Sequence, residues 1–308
     1  MIRLINSLVD FPHDLRGGVL AIGNFDGVHL GHCHVLGMAA KTAELAGVSA
    51  LAVSFNPHPR RFFKPEEPPF NLSGLEEKTA LMQKMVAAHL VLPFTHEFAS
   101  QSAEDFIVSL KKHTDFSHLV VGEDFCFGKN RSGDATILGQ ISTRLNFGLT
   151  LAPPLHDTGG EIISSSRIRK FLRAGNPIEA SHLLGRPWCV QGITEQGDGR
   201  GQQLGFPTAN FAAGDLLSPA YGVYAVTCQL EGYDGLLQGA AHFGVRPQWH
   251  RPTPLWEVHL FGEFPSLYQR NITLYLQHYL RAECRFDGVE ALIAQMHADC
   301  ALTKKLLQ

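Results

Sequence analysis

The sequence predicts a two-part protein: an α/β half built on a parallel sheet, followed by a small antiparallel β-barrel that ends in a C-terminal helix. In the first half, short apolar runs alternate with helix-like segments, which is the pattern of a parallel sheet covered by helices. Beyond Arg186 the runs become short strands broken by Gly, Pro and Asp, which is typical of a small barrel. The 308 residues suffice for two domains, which we place at 1–185 and 186–308.

The elements of the first half follow from its apolar periodicity. Strands are predicted in the apolar runs 17–25, 48–55, 89–94, 118–125 and 149–155. Helical spacing predicts helices over 33–47, 75–88 and 102–113, with a further helix before 149. Gly47 is expected to end the first of these helices, and Ser102, with acidic residues behind it, to begin the third. The regular alternation of the two kinds of segment predicts parallel strand pairing.

The second half contains a different set of elements. Strands are predicted in the runs 189–196, 221–230, 236–244, 255–262 and 272–280, and a closing helix over 288–307. In the run 255–262, alternation places Trp256, Val258 and Leu260 on one face of the strand. Glu257 and His259 then lie on the opposite face, so that a carboxylate can face a cavity.

Composition excludes several classes of protein. The chain is 44% hydrophobic and 18% charged, which indicates a soluble globular protein, and its net charge of -3 without long charge blocks argues against a nucleic-acid partner. The N-terminal segment has early charges and no long apolar run, so neither a signal peptide nor a membrane association is expected. Six scattered cysteines without a C-x-x-C pair predict reduced thiols in a cytoplasmic protein.

The stretch "AIGNFDGVHLGHCHVL" at 21–36 concentrates chemistry at one crossing from strand to helix. It contains three histidines and three glycines: His29, His32, His34, Gly23, Gly27 and Gly31. In an α/β sheet such a crossing is where ligands bind, and the N-terminus of a helix favours phosphate. Glycine lets the backbone approach a ligand closely, and paired imidazoles can donate to phosphate oxygens. The stretch therefore favours a phosphate site.

Two other interpretations of this stretch stay open. A zinc site would use His29, His32 and His34, but no acidic or cysteine partner lies in the motif. A purely structural interpretation has His29 capping the turn and His32 on a helix face.

At these residues the chain resembles a known family. The segment "GNFDGVHLGH" is similar to the H-x-G-H signature of nucleotidylyltransferases, and its F-D-G-V-H form resembles the adenylyltransferase domain of bacterial bifunctional riboflavin kinase/FAD synthetases. Four further segments resemble that family in the same order: "FNPHPRRFF" (55–63), "VGEDFCFGKNRSGD" (121–134), "ISSSRIRKFLRAG" (163–175) and "GRGQQLGFPTANF" (199–211). The resemblance covers nearly the whole chain, and it implies a Rossmann-like, nucleotidylyltransferase-like domain before a riboflavin-kinase barrel.

The resemblance implies adenylyl transfer in the first half, where the FMN phosphate attacks the α-phosphorus of ATP and pyrophosphate leaves. This chemistry needs positioning and donor groups rather than a nucleophilic side chain. His29 and His32 would hold the ATP phosphates, and Arg169 would face the leaving pyrophosphate. Further ATP contacts are expected at Gly23, Asn24, Phe25, Gly31, Ser164 and Ser165. Asp124 and Phe125 would face the flavin, and the alternative is that they form a buried strand end. For Arg169 the alternative is an ordinary capped surface helix.

In the second half the resemblance implies that riboflavin receives the γ-phosphate of ATP on its ribityl 5′-hydroxyl. The loop glycines expected to wrap phosphate are Gly199, Gly201 and Gly205. Thr208 and Asn210 offer oxygen ligands for Mg²⁺, and the family's catalytic base matches Glu257. Arg281 matches an arginine on the flavin side; a solvated strand residue is the alternative for Glu257.

Four positions depart from the family pattern, all in the second half. His242 replaces Asn and Gln248 replaces Thr in a segment that is usually N-I-G-x-R-P-T. Gln269 replaces the Gly of L-Y-G, and Gln202 replaces the last Arg of R-G-R. These changes bear on kinase rate or substrate fit, and Gln269 occupies a place where Gly would allow a positive φ.

The sequence thus predicts a cytoplasmic bifunctional enzyme whose small-molecule partners are riboflavin, FMN, FAD and ATP, with Mg²⁺ as cofactor. Three alternatives remain. The first is an FAD synthetase whose kinase half is weak or only binds flavin. The second is a non-catalytic flavin-binding regulator, and the third is an adenylyltransferase for another phosphate ester.

Overall fold

The computed structural model describes residues 2–196, 201, 204–212, 214–245, 254–262, 264 and 267–308. The chain forms two compact units. The first contains the residues up to Pro68 together with Gly74–Ser164, and the second contains Pro69–Ser73 together with Ser165–Gln308.

The first unit is built on a six-stranded sheet with the strand order β1-β4-β3-β2-β5-β6. All its strand pairs are parallel, as the sequence predicted. Its strands are β1 (Arg3–Ile5), β2 (Val19–Ile22), β3 (Ala50–Asn56), β4 (Ala88–Pro93), β5 (His118–Gly122) and β6 (Gly148–Ala152). Its helices are α1 (Leu30–Ala46), α2 (Pro59–Phe63), α3 (Leu75–Met82), α4 (His96–Ser100), α5 (Ala103–Thr114) and α6 (Ala135–Leu145).

Both faces of this sheet are buried. On β2, Leu20 and Ile22 belong to one apolar cluster, whereas Val19 and Ala21 belong to a second cluster on the other face. A strand covered on both faces is a continuous apolar run rather than an alternating one, which explains the sequence of β2. The sheet is therefore a rigid base whose strand ends can hold a site.

Two predicted helix ends are confirmed, and one is wrong. Gly47 ends α1 with a left-handed φ of 66°, and the Ser102 side chain accepts from the Asp105 N–H at the start of α5. The helix predicted over 75–88 stops at Met82. It stops because the chain must extend to pair with β3: the Ala87 N–H donates to the Ala50 carbonyl, and β4 begins at the next residue.

The second unit is an antiparallel sheet with the strand order β7-β12-β9-β10-β11-β8. Glu195 and Asn210 exchange two backbone hydrogen bonds, of 2.7 and 3.2 Å, which nearly close the sheet into the predicted barrel. Its strands are β7 (Cys189–Ile193), β8 (Ala209–Ala212), β9 (Gly222–Leu230), β10 (Leu237–Val245), β11 (Pro254–Leu260) and β12 (Asn271–Arg281). Its helices are α7 (Ser165–Arg173), α8 (Pro177–Leu184) and, at the C-terminus, α9 (Val289–Leu306).

Strand β8 was not predicted, because its residues follow directly on the glycine-rich segment that was assigned to a loop. The structure instead pairs β8 with β11 as a barrel strand. Among the helices in the described part of the chain, none combines the length and the hydropathy that crossing a membrane requires.

Candidate active sites

The first candidate site is the turn between β2 and α1, at the carboxyl edge of the parallel sheet. The Gly23 N–H donates to the Val53 carbonyl at 3.1 Å, which ties the start of the turn to the neighbouring strand. Phe25 and Val28 then have positive φ angles of 50° and 40°. A positive φ is costly for residues other than glycine, and β-branched Val28 is an outlier, so the turn is strained.

The two histidines meet at the N-terminus of α1. His29 is the N-cap, and its Nδ1 accepts from the His32 N–H at 3.2 Å. The two rings stack with centroids 3.6 Å apart, and the Phe25 ring packs edge-on against His32. Because Nδ1 of His29 accepts, this hydrogen bond assigns the proton of the neutral ring to Nε2, which makes Nε2 a donor. His29 therefore does cap the helix, and the cap presents a donor at the positive end of the helix dipole.

Two neighbours shape this site. A Cβ on Gly31 would lie 3.0 Å from the His29 ring and 3.2 Å from the Ile163 carbonyl, so the close packing here favours glycine. The side-chain Oδ1 of Asn24 is buried and has no hydrogen-bond partner among the described residues. A buried acceptor of this kind is a position that a ligand donor would satisfy.

A buried lysine lies beside the turn. Nζ of Lys78, on α3, donates to the Asn24 carbonyl at 3.0 Å. Burial lowers the pKa of Lys78, and the Asp26 carboxylate opposes that shift. Sequence reasoning missed Lys78 because a lysine in a charged helix carries no signal of burial.

The predicted flavin residues follow β5, which is the neighbour of β2 in the sheet. Asp124 is exposed, and Phe125 is half-buried with its ring stacked on Phe127 at 5.2 Å. Both residues lie beyond Gly122, where β5 ends, so they are in a loop and not in a buried strand end. Because β2 and β5 are parallel neighbours, this loop and the histidine turn follow the same edge of the sheet.

The segment predicted to contact pyrophosphate opens helix α7 in the second unit. The helix begins at Ser165, directly after Ser164, and Ile168 and Leu172 on it are buried. Arg169 is only 8% exposed; its Nε donates to the Phe70 carbonyl at 2.8 Å, and its guanidinium lies 5.2 Å from the Phe70 ring centroid. The residue is thus held among neighbours, unlike an arginine on an ordinary surface helix.

The second candidate site is a row of polar residues across three barrel strands. Asn210 of β8 lies opposite Glu257 of β11, which in turn lies opposite His242 of β10. Trp256 and Val258 are fully buried while Glu257 is half-buried, which confirms the predicted alternation. Residues directly opposite in antiparallel strands point to the same face, so the three side chains share one surface.

Asn210 is the most unusual member of this row. It is 7% exposed, and within the described chain neither Oδ1 nor Nδ2 of its amide has a hydrogen-bond partner. Half-buried Thr208 precedes it by two residues. A buried amide without partners is unusual in proteins unless a ligand satisfies it.

Arg281 ends β12 next to a partner that the sequence did not reveal. Its Nε and Nη2 donate to the carboxylate of Asp299 on α9 at 2.8–3.1 Å, and these hydrogen bonds raise the pKa of Arg281. Beside it, His242 Nε2 lies 2.9 Å from the Glu283 carboxylate. Neither pairing has a local signal, because each joins elements distant in sequence.

Three further predicted positions, Gly201, Gly205 and Gln269, lie outside the barrel strands. The Gly201 carbonyl accepts from the Phe206 N–H at 2.7 Å. Gly205 has a φ of 86°, and Gln269 has a φ of 55°, so Gln269 adopts the left-handed conformation that glycine would allow. The other named positions lie outside the described residues: Gly199, Gln202 and Gln248.

The sequence also left open a metal site formed by clustered side chains. Over the described ranges, no group of three or more His, Cys, Asp or Glu residues is arranged to hold a metal ion. A metal carried by hydroxyl, amide and phosphate oxygens would not require such a group.

The two units define an α/β nucleotidylyltransferase-like domain followed by a riboflavin-kinase-like barrel. The FAD synthetase family model matches residues 11–167, and the riboflavin kinase family model matches residues 184–307. The chain belongs to the bifunctional riboflavin kinase/FMN adenylyltransferase family, whose two domains it contains.

Individual relatives are similar to this chain over nearly its whole length. The chain is 35% identical over 301 residues to the bifunctional riboflavin kinase/FMN adenylyltransferase of Escherichia coli (strain K12), which covers 97% of this chain and 95% of that protein. It is 35% identical over 306 residues to the protein of the same name from Pseudomonas fluorescens, with 99% and 97% covered. A crystal structure named as a macrolide-efflux protein from Streptococcus pneumoniae superposes with a TM-score of 0.88 at 28% identity, covering 98% of both chains.

Proposed function

We propose that this chain phosphorylates riboflavin to FMN and adenylylates FMN to FAD, with ATP as co-substrate in both steps. The observation that carries the proposal is that each family domain contains its own cluster of phosphate-directed residues. The stacked His29–His32 pair lies within the FAD synthetase match, and the opposed Asn210 and Glu257 lie within the riboflavin kinase match.

In adenylyl transfer, an FMN phosphate oxygen attacks the α-phosphorus of ATP and the bond to pyrophosphate breaks. Negative charge builds on the phosphate oxygens, and His29 and His32 donate to them from the N-terminus of α1, where the helix dipole adds to the attraction. Gly23 and Gly31 keep the backbone close to the ligand. The histidines stabilise charge and form no covalent bond to the substrate.

Other residues of this half hold the two substrates. We assign Arg169 to the leaving pyrophosphate, because burial in a less polar surrounding strengthens its attraction for anions. Asp124 and Phe125 are assigned to the flavin, supported by their place at the same sheet edge as the histidine turn. The remaining ATP contacts are assigned to Asn24, Phe25, Ser164 and Ser165.

In the kinase step, Glu257 takes the proton of the ribityl hydroxyl while that oxygen attacks the γ-phosphorus and ADP leaves. The partnerless buried amide of Asn210 fits a ligand of Mg²⁺, and we assign Thr208 as its companion. Bound Mg²⁺ would neutralise charge on the ATP phosphates. Arg281 is assigned to the flavin side, and the phosphate loop to Gly199, Gly201 and Gly205.

The departures from the family pattern are compatible with an active kinase. Gln269 takes the backbone conformation that Gly would take, and His242 is engaged by Glu283 beside the row. Neither change removes a proposed metal ligand or the proposed base. The second candidate function is an FAD synthetase whose kinase half only binds flavin, and the observation that favours it is a histidine directly opposite Glu257.

We also propose the domain boundary 185/186 and a cytoplasmic location. The boundary is supported by the end of α8 at Leu184, followed by Gly185 with a left-handed φ of 72°. The location is supported by the scattered cysteines, since disulfides are rare in the reducing cytoplasm.

A time course tests the function directly. The protein is incubated with riboflavin, ATP and Mg²⁺, and FMN and FAD are separated at intervals; we expect FMN to appear first and FAD to follow. A parallel incubation with FMN should give FAD and pyrophosphate. FAD from FMN without any FMN from riboflavin would establish the second candidate, and a chain that makes neither product would refute both.

A further inference from the structure

Lys78 makes a hydrogen bond to the turn that carries His29 and His32. Lys78 is 8% exposed and Asp26 is 3% exposed, so both charges are withdrawn from water. The Lys78 ammonium donates to the Asn24 carbonyl at 3.0 Å, and Asp26 supplies the opposing charge. A buried lysine is costly unless such groups compensate it, so this arrangement fixes the ammonium at one place.

The backbone that Lys78 holds is the strained part of the turn. Phe25 follows Asn24 directly and has a φ of 50°, and Val28 has a φ of 40°. Strained conformations of this kind persist only where the surrounding structure fixes them. His29 comes immediately after this strained stretch, so its orientation depends on how the stretch is held.

Helix α3, which carries Lys78, is itself anchored on the sheet by the next residue. Thr79 Oγ1 donates to the Leu75 carbonyl at 2.8 Å, and it accepts from His89 Nδ1 at 2.8 Å. The Ser54 hydroxyl donates to His89 Nε2 at 2.7 Å. These bonds assign one tautomer to His89 and use both of its ring nitrogens.

His89 also remains uncharged beside Lys78. Burial first, and the charge of Lys78 second, lower the pKa of His89 to about 3, so no like charge opposes the ammonium at neutral pH. Thr79 of α3 thus contacts His89 of strand β4, and the adjacent Lys78 contacts the histidine turn.

We propose that Lys78 is a positioning residue for adenylyl transfer, which holds the Asn24–Asp26 backbone so that His29 and His32 meet the ATP phosphates in the productive orientation. This inference rests on the proposed function of the first half. Because the histidines act on charge that develops in the transition state, losing their alignment lowers kcat and leaves KM for ATP nearly unchanged.

The test compares two full-length variants. Lys78→Met keeps the length of the side chain and removes the ammonium, whereas Thr114→Ala removes a buried hydroxyl of α5 that donates to the Leu110 carbonyl and belongs to neither the turn nor α3. For each we measure kcat and KM for FAD formation from FMN, FMN formation from riboflavin, and the melting temperature. We expect Lys78→Met to lower kcat for FAD formation about 100-fold, with KM for ATP within about threefold and FMN formation unchanged. Thr114→Ala should lower the melting temperature and keep kcat.

Each result that would contradict the inference can be told apart from the others. An unchanged kcat, or a loss that only follows the fraction of unfolded protein as in Thr114→Ala, would show a purely structural lysine. A raised KM with unchanged kcat would show that Lys78 binds ATP itself, which also overturns the inference. Should Lys78→Met unfold, the same criterion applies to Lys78→Gln, whose side chain stays polar but is uncharged and ends one bond short of the ammonium that contacts Asn24. A wild-type chain that makes no FAD would instead refute the proposed function.

Discussion

At the residue scale, the same hydrogen bond gives His29 both of its roles. By accepting the His32 N–H on Nδ1, His29 caps α1 and places its proton on Nε2. The structural and the functional interpretation of the histidine motif are therefore compatible. His32, stacked on this ring, is expected to carry the second donor.

His32→Ala removes that second donor. Loss of a single transition-state donor typically slows a reaction about 100- to 1,000-fold, and we expect FAD formation from FMN to fall by this amount. FMN formation from riboflavin should be largely intact, because the kinase residues are unchanged. His34→Ala, two residues further along α1, is the matched control and should keep both rates. An unchanged rate of FAD formation in His32→Ala would show that the assigned role is wrong.

His89 predicts how the first unit responds to acid. Its folded pKa of about 3 lies below the usual 6.5, so between these values the unfolded chain takes up a proton that the folded chain does not. The free energy of unfolding should therefore fall as the pH falls through this window, by up to about 1.4 kcal/mol per pH unit from this group.

Denaturant unfolding at pH 7, 6 and 5 measures this dependence. His89→Gln should be less stable than wild type at pH 7 but should show a flatter dependence on pH. His96→Gln, at an exposed histidine of α4, is the control and should keep the wild-type slope. Equal slopes in wild type and His89→Gln would contradict the assignment.

At the element scale, strand β11 places one carboxylate on the row shared with β8 and β10. Glu257→Gln keeps the shape of the side chain and removes the base. General base catalysis contributes about 100- to 10,000-fold, so FMN formation should fall by that order. The same variant supplied with FMN should make FAD at the wild-type rate. Retention of FMN formation would mean that Glu257 is a solvated strand residue.

On strand β10, His242 is the departure from the family pattern whose effect is easiest to isolate. His242→Asn restores the usual family residue, but the shorter side chain loses the contact with Glu283 in the segment that follows Arg281. A half-exposed polar pair of this kind contributes at most about 1 kcal/mol, so KM for riboflavin should change by up to about fivefold while kcat stays nearly constant.

Two further variants locate the cause of that change. Glu283→Gln should reproduce the effect on KM, whereas Glu290→Gln at the start of α9 should not. A large change in kcat in His242→Asn would show instead that the histidine acts on the chemical step beside Glu257.

At the scale of the whole molecule, the question is how much chain the barrel needs. Helix α8 packs against β12, and the Ala220 N–H donates to the Leu172 carbonyl of α7 at 3.0 Å, so both helices contact the chain that follows residue 186. We expect fragments 165–308 and 186–308 both to fold and to bind riboflavin, with the longer one melting higher by about 5 °C for each kcal/mol these contacts contribute. Aggregation of the shorter fragment alone would move the functional boundary to the start of α7.

The sequence by itself determined the two-part organisation and the location of the main elements. Alternating strands and helices specified the parallel sheet, and the face of β11 that carries Glu257 followed from a period of two. Local caps such as Ser102 and Gly47 were also predictable, because each depends on neighbours within a few residues. The histidine motif was recognisable because its residues are contiguous in sequence.

Only the tertiary structure decided which distant groups meet. The burial of Lys78, the His89 hydrogen bonds and the Arg281–Asp299 pair all join elements whose partners have no common local pattern. Hydrophobic periodicity predicts which face of an element is buried, but it does not predict which residues pack against that face. A charged helix therefore gives no sign that one of its lysines is buried. The same limit applies to β8, where a short segment becomes a strand because β11 offers an unpaired edge.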